Sequence, residues 1–181
     1  GLASVSVMMG VQTFSSISTL YSEAQPPHFL QMHRGEIDQG AIDAFMSGRE
    51  DVTYWQSVEM LNIHGDMIAV ENDDGSYDMA DSRLDIGLVK QNEERDLLLD
   101  SDHAVVQLED GEIGIPILLK ERYGIGIGDR VTLEIEDVLM EFQVKEFVLD
   151  SQMNSPMVSS TRILVSDGDF EGLRSLGGEK E

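Results

Sequence analysis

The chain contains no cysteine. That removes a disulfide framework and thiolate metal sites. It leaves the compartment open, because 181 residues bury enough apolar surface to fold without covalent staples. Cations are also scarce: 12 Lys and Arg stand against 35 Asp and Glu, a formal charge of -23. Such a surface repels phosphodiester backbones and anionic lipid headgroups beyond contact range, which argues against a nucleic-acid partner. The acidity serves solubility, adaptation to a saline setting, or attraction of a cationic ligand. No apolar run reaches the roughly 18 residues that cross a bilayer.

Catalytic signatures are missing too. There is no Gly-x-Ser-x-Gly elbow, no Ser-x-x-Lys pair and no Walker sequence, and a thiol nucleophile is excluded. His28, His33, His64 and His103 are scattered without the His-x-x-x-His spacing that puts two imidazoles on one helix face. Asp73-Asp74-Gly75, Asp100-Ser101-Asp102 and Asp167-Gly168-Asp169 are rich in oxygen ligands, yet none runs on into a calcium loop with its closing Glu, so all three read as turns. The expectation is a protein with no catalytic residues, no metal and no cofactor.

What is present is organised around Glu112–Leu149. Ile115 to Gly124 has Pro116 where a helix begins, Lys120 and Arg122 in the last turn and Gly124 just past the end, which predicts one short helix. A turn follows at Gly126-Ile127-Gly128-Asp129. Val131–Ile135 and Met140–Val144 then alternate strictly about Glu136-Asp137, so the period switches from about 3.6 to about 2 and a hairpin follows the helix. Val131, Leu133 and Ile135 share a face with Met140, Phe142 and Val144; Glu134, Glu141 and Gln143 meet water. The glycines at 124, 126 and 128 follow a helix and open a strand, the reverse of a dinucleotide-binding loop.

These residues carry a resemblance. Pro116 before a short helix, Tyr123-Gly124, Gly128-Asp129-Arg130-Val131 entering a hairpin, then Phe142-Gln143-Val144 and Phe147, resemble the large extracytoplasmic domain of MacB/FtsX-like ABC transporter permeases. Asp150 to Ser155 and Ser160 to Val165 fit the same pattern, and the likeness runs from about residue 105 to 173.

Before it, residues 2–22 read as a helix, uncharged up to Glu23, with Leu2, Val5, Met9, Phe14, Ile17 and Leu20 as a rough apolar stripe. This fits either a core-facing helix or the extramembrane continuation of a membrane helix; the resemblance favours the second. Phe29–His33 reads as a strand, Glu36–Met46 as a helix with Ile37, Ala41 and Phe45 on one face, and Val52–Val58 as a strand, together a βαβ unit. Tyr54 and Trp55 would then pack within a strand. Short strand-like runs follow at Leu61–Ile63, Met67–Val70, Tyr77–Met79 and Asp85–Val89, with a turn over Asn72–Ser76. Ile163–Ser166 reads as the last strand and Asp169–Leu176 as the last helix. The expected fold is α+β: a discontinuous βαβ-containing lobe, 1–59 plus 160–181, with a β-rich lobe inserted at 60–159, as in the MacB periplasmic domain. Both termini, taken at residues 5 and 176, would emerge together from the first lobe.

The resemblance implies a non-catalytic domain on the extracytoplasmic side of the cell membrane that couples cytoplasmic ATP hydrolysis to movement or binding of a ligand outside. Implied partners are the transmembrane remainder of the permease, a separate cytoplasmic ATP-binding subunit acting indirectly, and an extracellular ligand, lipoprotein or peptide. The rival is a secreted or surface module whose acidic face captures a cationic peptide or protein. A hydrolase-type enzyme is a third class, without support in any motif. For partner contact the sequence points to Met153, Pro156 and Met157, in a serine-rich segment where adaptable thioethers are exposed.

Overall fold

The computed structural model describes residues 16–72, 75–80, 85–152, 160–176 and 179–180. Residues 16–24 form a helix, α1. The further helices are α2 (Gln39–Ser47), α3 (Ile117–Tyr123) and α4 (Asp167–Ser175). The strands are β1 (Leu61–Ile63), β2 (Ile68–Asn72), β3 (Gly75–Asp78), β4 (Asp85–Val89), β5 (Glu112–Pro116), β6 (Arg130–Ile135), β7 (Val138–Val148), β8 (Ser160–Val165) and β9 (Glu179–Lys180). The fold is mixed α+β, and among the described residues these nine strands form one sheet in the order β3-β2-β6-β7-β5-β8-β4-β1-β9.

The hairpin follows its hydrophobic pattern. Val131 lies opposite Phe142 and Leu133 opposite Met140. Val131, Leu133, Ile135, Phe142 and Val144 are buried, while Glu134, Glu141 and Gln143 are exposed. A one-residue slip would turn every one of these side chains over, so burial of one face holds the register. β5 runs parallel to β7 and antiparallel to β8, and β8 runs parallel to β4. β8, expected in the terminal lobe, thus pairs with β4 and β5 of the expected inserted lobe, and the sheet is continuous across that boundary.

The sheet is covered on both faces. Ile163 and Val165 join Leu119 of α3, Phe170 and Leu173 of α4 and the hairpin residues in the main core. Leu164 and Val148, on the opposite face, pack under Leu98 and Val106 of the long β4–β5 connection. A third cluster, Leu97, Leu99, Ala24 and Leu20, fastens α1 onto the outside of that connection. Full burial of a side chain such as Phe170 or Leu173 stabilises by about 1.5–3 kcal/mol relative to exposure.

Several expectations need correction. Pro116 closes strand β5 and caps a helix that starts at Ile117, so Glu112–Pro116 is sheet where Ile115 and Pro116 were expected in the helix. Phe29–His33 and Val52–Val58 form no strand. Strands exist only where neighbours take their N–H and C=O groups, and the flanks of β1 are occupied by β4 and β9. The βαβ unit is therefore absent from those residues. Its helix does form, as Gln39–Ser47, with the Asp38 carboxylate accepting from the Ala41 N–H at 2.9 Å, but none of its residues is buried. Ile37 and Phe45 are exposed, not core-facing. Asp167-Gly168-Asp169 is the first turn of α4, not a loop, because Ser166 caps it. Residue 5 lies outside the described residues, as do Asp73 and Asp74.

Candidate functional site

Asp100 behaves as a turn former: its carboxylate accepts from the N–H groups of Asp102 and Ala104 at 2.8 and 2.9 Å. Trp55 is half-buried and donates its indole N–H to Asp43 at 3.1 Å, and the Arg95 guanidinium lies 4.7 Å from the centre of the Tyr54 ring. Both aromatics thus hold a non-strand segment in place. No group of three or more His, Asp and Glu with metal-binding geometry occurs among the described residues. Met153, Pro156 and Met157 lie outside the described residues, but the chain on either side of them does not.

Both flanks converge on a buried ionic cluster. Arg162 enters from β8 two residues before Leu164 and hence on the same face, beneath the β4–β5 connection. Its Nε and Nη2 donate to the Asp150 carboxylate at 2.6 and 2.7 Å, and its Nη1 and Nη2 to the Asp96 carboxylate at 2.6 and 3.0 Å. Arg162, Asp96 and Asp150 are 6%, 4% and 2% exposed. Gln152 donates its side-chain amide to Asp96 Oδ1 at 2.5 Å and its backbone N–H to Asp150 Oδ1 at 2.8 Å.

Burial works against the guanidinium charge, yet the hydrogen bonds to Asp150 and Asp96 and their charges outweigh it, and the Arg162 pKa is held above its ordinary value. Two carboxylates against one guanidinium leave the cluster with one formal negative charge. Each ion taken alone would cost several kcal/mol to bury, so the three are stable only as a set.

Local backbone aims these groups. Asp96 adopts φ +56°, in the left-handed region that Asp tolerates better than most residues. Asn92 donates to the Asp96 carbonyl at 3.1 Å, and Gln91 closes the base of the connection with bonds to Leu98 and Val106. With both carboxylates committed to Arg162, the guanidinium is not open to an anionic substrate. The arrangement ties the β4–β5 connection, the chain leaving β7 and β8 to one another.

Sequence reasoning missed Asp96, Asp150 and Arg162. One signal was present: a lone Arg beside the apolar run Ile163-Leu164-Val165, in a chain with only 12 basic residues, requires acidic partners once the strand is buried. Which of 35 acids supply them is not readable from spacing.

No known family model matches the chain, and no curated protein matches it.

Proposed function

We propose that this chain is the non-catalytic extracytoplasmic domain of a MacB/FtsX-like ABC transporter permease. It transmits motion driven by a separate cytoplasmic ATPase to a ligand outside the membrane. The observation that carries this reading is the order of elements over residues 105–173: β5, the short helix α3, a glycine turn and the long β6–β7 hairpin, then β8 and α4, built from the residues on which the resemblance rests. The site supports it indirectly, since the buried cluster joins segments and offers no open reactive group.

These 181 residues contain no cysteine, so one introduced at Asp137, in the exposed tip of the β6–β7 hairpin, is the sole thiol of this domain, with the unsubstituted full-length protein as the control. In cells making the full-length protein, a membrane-impermeant maleimide should modify Asp137→Cys without lysis, and the protein should copurify with an ATP-binding subunit. Modification only after lysis would overturn the reading.

The second reading, an acidic module that captures a cationic peptide, is favoured by Asp66, Glu134, Glu136 and Asp137, which line one concave surface beside Met67. Capture by charge alone weakens steeply as salt rises, because exposed charges are screened within about 8–10 Å near physiological ionic strength. Titration of a lysine-rich peptide at two salt concentrations separates the readings: tight, salt-sensitive binding lost on Glu134→Gln with Glu136→Gln favours the module.

A further inference from the structure

The buried cluster has a chain segment docked on each side of it. On one side is α1. Leu20 and Ala24 pack on Leu97 and Leu99, the Asp96 N–H donates to the Gln25 carbonyl at 3.1 Å, and the Leu97 N–H donates to the Ala24 carbonyl at 2.9 Å. The docking site of α1 is therefore the backbone of Asp96 itself and the residue after it. On the other side is the chain leaving β7. Leu99 and Leu149 exchange both backbone hydrogen bonds, at 3.2 and 2.7 Å, and Gln152 is held by both Asp96 and Asp150. A single residue, Asp96, thus offers its backbone to α1 and its side chain to Arg162 and Gln152.

We infer that Arg162 is a coupling latch: by gripping Asp96 and Asp150 together it makes the docked end of α1 and the Asp150–Gln152 segment move as one unit, so that displacement of residues 16–25 is felt at Gln152. The physical reason is charge. If Asp96 withdraws with α1, Arg162 loses two of its four hydrogen bonds and a buried carboxylate loses its cation, a state far less stable than the closed one. Partial withdrawal gains nothing, because the bidentate geometry is lost at once. The cluster therefore has two arrangements, closed or released, and not a graded series. Apolar packing by itself does not have this property, because dispersion contacts are individually weak and are lost a little at a time. As a route for ATP-driven motion the latch rests on the permease reading; as a coupling between two segments of this chain it does not.

Amide hydrogen exchange on the full chain tests it, with Leu20→Ala as the perturbation, since Leu20 is only partly buried and packs on the α1 side of the connection, against Ala24, Leu97 and Leu99. In the parent background Leu20→Ala should speed exchange at Asp96 and Leu97 and, about tenfold or more, at Gln152, while Val131 and Val144 in the hairpin stay unchanged. In an Asp96→Asn background, where the second charge is gone, the same change should still loosen Leu97 but move Gln152 by less than about twofold. An unchanged Gln152 amide in the parent background, or an equal rise at Gln152 in both backgrounds, would overturn the latch. If Asp96→Asn does not fold, Arg162→Lys supplies the uncoupled background and is read by the same comparison. Failure of this exchange test leaves the permease reading standing, and failure of the cysteine labelling leaves the latch standing.

Discussion

The Ser166 hydroxyl donates to the Asp110 carboxylate at 2.5 Å, across 56 residues of sequence. The same oxygen accepts from the Asp169 N–H at 3.0 Å, and the Asp169 carboxylate accepts from the Gly111 N–H at 2.7 Å. The N-terminus of α4 and the turn that opens β5 therefore cap each other. An acidic side chain at Asp169 also sits favourably at the positive end of the helix.

This clamp makes Gly168→Ala unfavourable, although alanine is the better helix former. A Cβ there would lie 2.6 Å from Asp110 Oδ1, which cannot retreat without giving up Ser166. We expect a loss of about 1–2 kcal/mol by chemical denaturation, the range for a displaced cap. In an Asp110→Ala background the obstacle is gone, and the further cost of Gly168→Ala should vanish or reverse sign. Equal costs in both backgrounds would refute the clash.

Gly128 has φ +89° and donates its N–H to the Val144 carbonyl at 2.8 Å, locking the turn to the hairpin. Nothing lies within 4 Å of the point where a Cβ would stand, so a substitution suffers backbone strain and no collision. Gly128→Val should destabilise by about 1–3 kcal/mol. Thermal unfolding indistinguishable from the parent would show that the turn relaxes freely.

Arg162→Met strands two buried carboxylates and should cost about 3–5 kcal/mol, the usual penalty for breaking a buried ion pair from one side. Arg162→Lys keeps the charge but has no planar fork for two carboxylates, so it should recover only a minor part of that loss. Urea unfolding of the two variants measures both quantities, and a lysine variant as stable as the parent would rule out the geometric argument.

The Glu112 carboxylate accepts from the Glu109 N–H at 2.9 Å and faces Lys145 Nζ at 3.0 Å, and these partners lower its pKa. A carboxyl whose folded pKa is depressed contributes stability above its unfolded pKa and loses it as pH falls through the folded value. Glu112→Gln should therefore lower the Tm at neutral pH, and the gap to the parent should close in strong acid. Melting curves from neutral to acidic pH check this; a gap that widens on acidification would contradict the assignment.

By itself the sequence determined the hairpin, α3 and its end at Gly124, the position of α4 to within two residues at its start, and the α+β class. In each of these the information is local: alternation, capping residues and turn formers act within a few positions of where they stand. The helix at Gln39–Ser47 was legible for the same reason. Only the tertiary structure decided which runs become strands. Phe29–His33 has as good a β composition as Ile68–Asn72, but the latter finds β6 and β3 beside it and the former finds no strand. The candidate site was the least legible part. Asp96, Asp150 and Arg162 belong to residue types that are ordinarily solvated, and Asp96 stands far along the chain from the other two; burial alone turns them into a set, and burial is a property of the assembled sheet and its cover.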